Sequence, residues 1–337
     1  MRTMTAGMLA ATGSVALVER PLPRARGDLV VVRVDITPMC TEFRLRGDGE
    51  AHDELGHEAV GVVVDAGDST RLTTGDRVVV MPGFACGHCQ FCARGEHIFC
   101  LEQRDVLRES GSEAGAGTYA QYLVKPDYLL LPIPDDISSE HAAAAVCLLG
   151  PSFNALRAMD ICPGEALIVG GCGPVGLGAV IAGMARGARV LAVDRTPYRR
   201  ELAARLGAEV FDPLEDDLAD SVRRATNGDA TAAFESRPST QLVPFIERLG
   251  RMAVVAWGAE LTFAPLVPQG LTVYWCWHWN HQKDGDRMWE LIRQAEPLID
   301  RAITHHFDLA DLGQAMDVQA SKQCGKVLLY PHERTAV

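Results

Sequence analysis

The spacing of hydrophobic residues changes about halfway along the chain. In the first third, short β-branched runs are separated by glycine-containing turns; the runs are DLVVVRVDI (28–36), AVGVVVD (59–65) and DRVVVMP (76–82). Such runs predict β-strands. From about residue 165, short apolar strands alternate with helical stretches, in the order ALIVGG, VGLGAVIAGMARG, RVLAVD, YRRELAARLG and EVFD. The pattern therefore predicts an all-β unit followed by an α/β unit with a parallel sheet.

Other segments complete this prediction. Ser138 or Ser139 is placed to cap an alanine-rich helix that carries Glu140 in its first turn. Later segments predict a strand at TAAFES (231–236), a helix at LVPFIERLG (242–250) and a strand at RMAVVAW (251–257). The tail predicts a helix around DRMWELIRQAE and a terminal strand at GKVLLYP.

Length and composition restrict the class of protein. A chain of 337 residues is long enough for two domains, and 47% hydrophobic residues supply the cores. The N-terminus has no basic segment followed by an apolar run, and no stretch of about eighteen apolar residues occurs, so we expect a cytoplasmic protein without a membrane partner. A formal net charge of -12 disfavours nucleic acid as a partner.

Four cysteines within fifteen residues form the most specific motif of the chain. The spacing is C-x2-C-x2-C-x7-C, through Cys86, Cys89, Cys92 and Cys100. Four thiolates can close a tetrahedron around one zinc ion, which leaves no open position for a substrate. We therefore predict a structural zinc in a lobe over residues 86–100, with an iron–sulfur cluster and a disulfide pair as weaker alternatives.

A glycine-rich turn predicts a dinucleotide site. Gly171, Gly173 and Gly176 follow the strand ALIVG, and Pro174 and Val175 begin the next helix. In this context GxGxxG lets the pyrophosphate approach the helix N-terminus.

A carboxylate at the end of the second strand predicts which dinucleotide binds. Asp194 is placed to accept hydrogen bonds from the adenosine ribose, which favours NAD over NADP. Arg195, with Arg199 and Arg200 behind it, is a feature that would accommodate a 2′-phosphate, so NADP stays open as the less favoured cofactor.

The four-cysteine lobe, the triplet Gly56-His57-Glu58 and the glycine-rich turn, in this order, resemble the zinc-containing medium-chain alcohol and polyol dehydrogenases. The closing patterns Ile303-Thr-His305-His-Phe307 and Gly325-Lys326-Val327 extend the resemblance nearly end to end. The resemblance implies an α/β fold: a GroES-like, β-rich catalytic domain (1–147 and 284–337) and an inserted Rossmann domain with a doubly wound parallel sheet (148–283). It also implies a homodimer or homotetramer.

The family resemblance further implies a catalytic zinc. Its usual ligands are a Cys in a C-G-[TS]-D motif, the His of G-H-E, and a Cys, Asp or Glu just before the Rossmann domain. Here the first motif is replaced by Pro38-Met39-Cys40-Thr41-Glu42, and an alignment on Thr41-Glu42 puts Met39 at the ligand position. The third segment reads Leu149-Gly150-Pro151, which has no side-chain donor.

A ligand set from the sugar-dehydrogenase branch of the family suits these departures. There the Glu beside the His joins the metal, which predicts Cys40, His57 and Glu58 as ligands, with water or substrate in the fourth position. Cys147, one helical turn before Gly150, is the alternative third ligand.

The chemistry that this resemblance implies is hydride transfer between NAD and a secondary alcohol of a sugar, cyclitol or polyol. Zinc would polarise the substrate oxygen, and Thr41 would be the first member of a proton relay. The usual relay His is replaced by Arg44, so the relay would end at a ribose hydroxyl, at Glu42 or in bulk water. A zinc-free reductase acting on an activated double bond or carbonyl is the alternative function. A dinucleotide-binding protein without catalysis is a third interpretation.

A tryptophan-rich segment, Trp275-Cys-Trp277-His278-Trp279-Asn280-His281, stands out in a chain with five tryptophans. If the segment is a strand, Trp275, Trp277 and Trp279 share one face. Two interpretations stay open: a packed subunit interface, or an aromatic wall against which a sugar stacks.

Overall fold

A computed structural model describes residues 2–214, 218–236, 241–256 and 267–333. In this part of the chain the strands form a two-stranded hairpin, a seven-stranded mixed sheet and a six-stranded parallel sheet. Strands β1 to β7 are Thr3–Leu9, Val15–Pro21, Leu29–Pro38, Ala59–Asp65, Arg77–Val80, Tyr122–Pro126 and Leu130–Pro132. Strands β8 to β15 are Ala166–Gly170, Arg189–Val193, Glu209–Phe211, Ala230–Glu235, Ile246–Val254, Thr272–Trp275, Ile303–Asp308 and Lys326–Tyr330.

Eight α-helices accompany these strands in the described ranges. They are α1 to α8: Val106–Ser110, Ser139–Ala142, Gly150–Ala158, Pro174–Ala185, Pro197–Arg205, Leu218–Thr226, His281–Ala302 and Leu312–Ser321. Ser138 caps α2, since its hydroxyl accepts a hydrogen bond from the His141 amide at 3.1 Å. Among the described residues, no helix combines the length and apolar character needed to cross a bilayer.

The seven-stranded sheet is built from both ends of the chain. Its order is β14-β15-β3-β4-β5-β7, and β6 also pairs with β3. The predicted strands at 28–36, 59–65 and 76–82 are confirmed as β3, β4 and β5. The predicted terminal strand is β15, which pairs antiparallel with the end of β3 through Leu328↔Pro38 and Leu329↔Thr37. This pairing places Lys326 beside the loop that leaves β3.

The six-stranded sheet has the order β10-β9-β8-β11-β12-β13, with every pair parallel. This is the doubly wound order in which the first strand lies at the centre and ligands bind beyond the carboxyl ends of the strands. All six strands lie within 148–283, the range predicted for the Rossmann domain. The domain boundaries themselves stay a prediction.

The predicted helix at 242–250 is wrong. Only Val243–Phe245 forms a 3-10 turn, and the chain then continues as β12. Pro244 lacks an amide for a helical hydrogen bond. Strand β12 pairs with β11 on both sides of a register shift, through Ala230↔Ile246 and Ala232↔Arg251. The irregularity includes Leu249, whose φ is 65°. Sheet pairing therefore overrides the local helical pattern.

The predicted alternation of tryptophans along a strand is also wrong. Strand β13 ends at Trp275, which is 54% exposed, whereas Trp279 is 3% exposed. The indole N–H of Trp279 donates to the Ala145 carbonyl at 2.9 Å, and its ring packs edge-on against Phe153. The indole of Trp277 packs edge-on against Phe99 of the cysteine lobe. The three tryptophans therefore have separate environments.

Candidate active site and metal centres

The four cysteines of the lobe converge on one point. Their sulfur atoms all lie within 4.8 Å of one another, and three Sγ–Sγ distances are 3.6 Å (Cys89–Cys92), 3.9 Å (Cys86–Cys92) and 3.9 Å (Cys89–Cys100). A tetrahedral site with zinc–sulfur bonds of about 2.3 Å has sulfur–sulfur edges of about 3.8 Å. The lobe geometry therefore fits one structural zinc ion.

Backbone amides support this arrangement of sulfurs. The Cys86 amide donates to Cys100 Sγ at 3.1 Å, and the Cys89 amide donates to Cys86 Sγ at 3.3 Å. Amide donors of this kind stabilise thiolates and fix the orientation of metal ligands.

A second group of metal-ligating side chains lies where β3, β4 and the segment before α3 meet. The group consists of Cys40, His57, Glu58 and Cys147, and one ligand atom of each lies within 4.8 Å of the others. Cys40 follows β3, His57 and Glu58 precede β4, and Cys147 precedes α3. His57 Nε2 lies 3.3 Å from Cys147 Sγ. Two sulfurs and an imidazole nitrogen therefore face one position, which suits an open zinc site.

Met39 does not belong to this group. It is fully buried in the core formed by Leu9, Leu55, Tyr119 and their neighbours. Its amide donates to the Val327 carbonyl at 2.8 Å, which continues the pairing of β3 with β15. Cys40, rather than Met39, is therefore the residue of this loop that reaches the cluster.

Glu42 orients the imidazole of His57. Its Oε1 lies 2.6 Å from His57 Nδ1, and its Oε2 accepts hydrogen bonds from the Tyr119 hydroxyl at 2.8 Å and the Cys40 amide at 3.1 Å. A carboxylate on Nδ1 directs the lone pair of Nε2 away from itself, toward Cys147. Gly56 permits this arrangement, because a Cβ there would lie 2.3 Å from Thr118 Oγ1 at a φ of +84°.

Glu58 forms a buried ion pair with Lys326. Glu58 Oε1 lies 2.7 Å from Lys326 Nζ, and the two residues are 0% and 1% exposed. Glu58 Oε2 accepts a hydrogen bond from the Cys147 amide at 3.1 Å. Both carboxylate oxygens of Glu58 are therefore engaged by the protein, whereas the Cys147 sulfur faces His57.

The side chains of the cluster shift one another's pKa values. Burial alone would lower the pKa of His57, but hydrogen bonds with Cys40 and Glu42 outweigh it and raise the pKa to about 11. The pKa of Cys40 is lowered well below its usual value, chiefly by a hydrogen bond from Cys147. Zinc ligands must be deprotonated, so metal uptake here would release protons.

Thr41 and His278 lie beside different members of the cluster, Thr41 next to Cys40 in the chain and His278 near Cys147. Thr41 is exposed at the start of the 3-10 turn Glu42–Gly47, where its side chain makes no capping hydrogen bond. His278 is 5% exposed, and its Nε2 lies 3.7 Å from Cys147 Sγ.

The glycine-rich turn has the backbone geometry that a dinucleotide needs. Gly171 has a φ of +84°, Gly173 caps α4, and Pro174 begins the helix. A Cβ on Gly176 would lie 1.7 Å from the Gly171 carbonyl oxygen, so only glycine fits. Val175 is half-buried against the core. The N-terminus of α4 therefore lies close to the carboxyl end of β8, where a pyrophosphate can approach it.

Asp194 closes this turn from the second strand. Its Oδ2 accepts a hydrogen bond from the Cys172 amide and its Oδ1 from the Thr196 amide, both at 2.7 Å. Arg200 is engaged elsewhere, by the Asp194 carbonyl at 2.7 Å and by Asp212 at 2.9 Å. Arg195 is exposed, and the Arg199 guanidinium lies 3.7 Å from the position of a Cβ on Gly173.

Two family models match the chain and together span more than half of it. Residues 25–135 match the alcohol dehydrogenase GroES-like domain, and residues 174–294 match the zinc-binding dehydrogenase domain. The chain belongs to the zinc-containing medium-chain dehydrogenase family. The predicted family and the predicted combination of a GroES-like domain with a Rossmann sheet are confirmed.

Relatives within this dehydrogenase family match along almost the whole chain. An L-threonine 3-dehydrogenase of Bacillus velezensis is 28% identical, over 94% of this chain and 95% of that relative. The structure of the alcohol dehydrogenase TADH of Thermus sp. ATN1 is 26% identical with a TM-score of 0.86, over 97% of this chain and 99% of the other. That of 2R,3R-butanediol dehydrogenase of Bacillus subtilis is 26% identical with a TM-score of 0.82, over 98% and 100%.

Three residues next to the cluster could not be placed there from local sequence. Tyr119 lies in no motif, and it reaches Glu42 only because the loop before β6 crosses Gly56. Lys326 stands in a Gly-Lys-Val pattern, but its pairing with Glu58 depends on the return of β15 to β3. His278 belongs to a segment whose predicted strand geometry is wrong.

Proposed function

We propose that this dehydrogenase transfers hydride between NAD(H) and a secondary alcohol or ketone of a small polyhydroxylated molecule, with a zinc ion in the cluster at Cys40. The convergence of Cys40, His57 and Cys147 on one position supports this function most directly. The two similar dehydrogenases named for threonine and for butanediol have substrates in which a hydroxyl or an amine neighbours the carbinol carbon. A sugar, cyclitol or polyol shares that feature.

Within the cluster, we propose Cys40, His57 and Cys147 as the protein ligands and Glu58 as their support. Glu58 is the alternative third ligand, but binding a metal would cost it the hydrogen bonds to Lys326 and to the Cys147 amide. Breaking a buried ion pair is costly, which favours the Cys147 thiolate as the ligand. The second oxygen of Glu58 then holds the backbone of Cys147 in place.

Two further residues, Glu42 and Thr41, have separate roles in the proposed reaction. A zinc ion held there would polarise the oxygen of an alcohol or ketone, and a nicotinamide dinucleotide would exchange the hydride. Glu42 keeps the proton of His57 on Nδ1, so that Nε2 stays available to the metal. Thr41, which is exposed beside Cys40, would pass the alcohol proton toward solvent. Glu42 is committed to His57 and Tyr119, so it is a poor end for this relay.

Asp194 supports NAD rather than NADP as the cofactor. A buried carboxylate at this position repels a 2′-phosphate, and the nearby Arg200 is already paired with Asp212. We expect kcat/KM with NAD to exceed that with NADP at least tenfold, and Asp194→Gly to narrow this ratio. An unchanged ratio in the variant would contradict the assignment.

Activity screening tests the proposed reaction. The purified chain should reduce NAD with at least one vicinal diol, polyol or amino alcohol, and Cys40→Ser should abolish this activity. A zinc-free reductase is the alternative, and it would instead reduce an enone or activated carbonyl and keep that activity in Cys40→Ser.

A further inference from the structure

His278 is a buried imidazole whose second nitrogen has no partner among the residues that the structure describes. The residue is 5% exposed, and Nδ1 makes no hydrogen bond within the described part of the chain. A buried polar atom without a partner destabilises the folded protein, and an apolar ring of similar size would avoid that cost. The position therefore indicates that a bound molecule supplies the partner.

The other nitrogen of His278 faces the cluster. Its Nε2 lies 3.7 Å from the sulfur of Cys147, which itself lies 3.3 Å from His57 Nε2. A cysteine sulfur at this distance can accept a hydrogen bond from an imidazole N–H, so Nε2 already has a partner in the cluster. The proton of a neutral His278 therefore belongs on Nε2, and Nδ1 carries a lone pair.

Three hydrogen bonds of His278 and its neighbours fix the backbone here, so the imidazole has a defined position. The Asn154 side chain donates to the His278 carbonyl at 3.0 Å. Trp279 is fixed by its bond to the Ala145 carbonyl, and the Asn280 side chain donates to the Arg94 carbonyl of the cysteine lobe at 2.8 Å. A Cβ on Gly150 would lie 2.6 Å from Trp279, so this packing is close.

The position of His278 also suits contact with a ligand. It follows the end of β13 by three residues, at the carboxyl edge of the parallel sheet where dinucleotides bind. Its imidazole thus lies between that edge and the Cys40–His57–Cys147 cluster. A molecule bound to both the dinucleotide site and the cluster would therefore lie near this side chain.

We propose that His278 is a specificity-determining residue whose Nδ1 accepts a hydrogen bond from an O–H or N–H group of the bound ligands. The inference rests on the proposed function. Two sources have this chemistry: a hydroxyl or amine next to the carbinol carbon of the substrate, and the carboxamide of the nicotinamide. The first source selects vicinal diols and amino alcohols over plain alcohols.

Two variants separate the nitrogens of His278. The amide oxygen of His278→Asn falls near the position of Nδ1, whereas the amide nitrogen of His278→Gln falls near that of Nε2. Each is assayed with 2,3-butanediol against 2-butanol and with L-threonine against 3-hydroxybutyrate. Binding of NADH is measured by calorimetry, and zinc content is measured by elemental mass spectrometry.

If the donor belongs to the substrate, His278→Gln should lower kcat/KM about tenfold for the member of each pair that carries the extra donor. It should lower kcat/KM less than about threefold for the other member. The tenfold effect corresponds to one hydrogen bond of about 1.4 kcal/mol. His278→Asn should keep the wild-type ratio, and Kd for NADH should not change. A carboxamide donor instead predicts that His278→Gln raises Kd for NADH about tenfold and lowers both members equally.

Two results would overturn the inference. One is a His278→Gln variant in which the substrate ratio and Kd for NADH both stay within about twofold of wild type. The other is loss of a zinc ion from both variants, which would assign a purely structural role to His278. A wild-type enzyme that oxidises none of the four alcohols while binding NADH would instead refute the proposed function.

Discussion

Replacing Lys326 by Met should destabilise this protein more than any surface charge change, because it leaves Glu58 buried without a counter-ion. The two side chains are 1% and 0% exposed and 2.7 Å apart. Burial alone would lower the pKa of Lys326, but the negative charge of Glu58 outweighs it and raises the pKa to about 12. The pair is therefore charged, and each member depends on the other.

The expected magnitude follows from this burial. Removing one partner of a buried ion pair costs about 3–5 kcal/mol, whereas removing both costs much less. The double variant Lys326→Met/Glu58→Gln should recover at least about 2 kcal/mol relative to the sum of the single changes. Arg189 and Glu209 form a matched control, because their side chains are 45% and 44% exposed and their coupling should be under about 1 kcal/mol.

The assay is urea unfolding of the four proteins of each cycle (the wild type, the two single variants and the double variant), with zinc present, followed by circular dichroism and tryptophan fluorescence. Both probes are needed because a chain with two domains need not unfold in one step. A coupling below about 1 kcal/mol between Lys326 and Glu58 would refute the reasoning. It would mean that Glu58 is free of its partner and available as a zinc ligand.

Three further predictions concern single side chains. Glu42→Gln should weaken zinc binding at the cluster or lower kcat/KM by about 10–100-fold, since it loosens the hold on His57; zinc titration and steady-state kinetics measure this. Burial lowers the pKa of Lys125 to about 7 in the folded chain. Between about pH 7 and 10.5 the unfolded chain therefore binds more protons at this residue than the folded chain does. The free energy of unfolding should rise with pH in that range, by up to about 1.4 kcal/mol per pH unit. Lys125→Met should flatten this rise, as read from Tm. Trp275→Ser should shift a homodimer or homotetramer toward monomer in sedimentation velocity. The reason is that Trp275 is exposed at the end of β13, an edge strand of the described six-stranded sheet.

Each of these predictions has a contrary outcome. Unchanged zinc affinity and unchanged kinetics in Glu42→Gln would show that His57 is oriented by other groups. An equal slope of Tm with pH in wild type and Lys125→Met would place the titration elsewhere. An intact oligomer in Trp275→Ser would remove this residue from the interface, and a raised KM in Trp277→Ala with an intact oligomer would favour the stacking wall.

Local sequence patterns were sufficient to predict the features that are formed by residues close together in the chain. The cysteine lobe closes over fifteen residues, and the glycine-rich turn joins a strand directly to its helix, so both could be predicted from spacing. The close contact of Gly176 with the Gly171 carbonyl shows why that spacing is strict. The β-branched runs predicted β3, β4 and β5 for the same reason, because each run and its flanking turns are local features of the sequence.

Long-range packing decided what local patterns could not. His57 and Cys147 are ninety residues apart, and their proximity depends on how the segment before α3 packs against Glu58 at the start of β4. The tryptophan segment leaves the sheet after Trp275, and Trp279 is instead held in the core by its hydrogen bond to Ala145 and its contact with Phe153. These long-range contacts cannot be predicted from the alternation of residues along a strand. In β12, pairing with β11 outweighs a helical pattern of hydrophobic residues.

Zinc content tests the central claim most directly. Elemental mass spectrometry of the purified chain should give two zinc ions per chain, falling to one in Cys40→Ser and in Cys147→Ser and staying at two in Glu58→Gln. One zinc ion in the wild type and in every variant would contradict a catalytic zinc at this cluster. Loss of a zinc ion in Glu58→Gln but not in Cys147→Ser would assign the third ligand to Glu58.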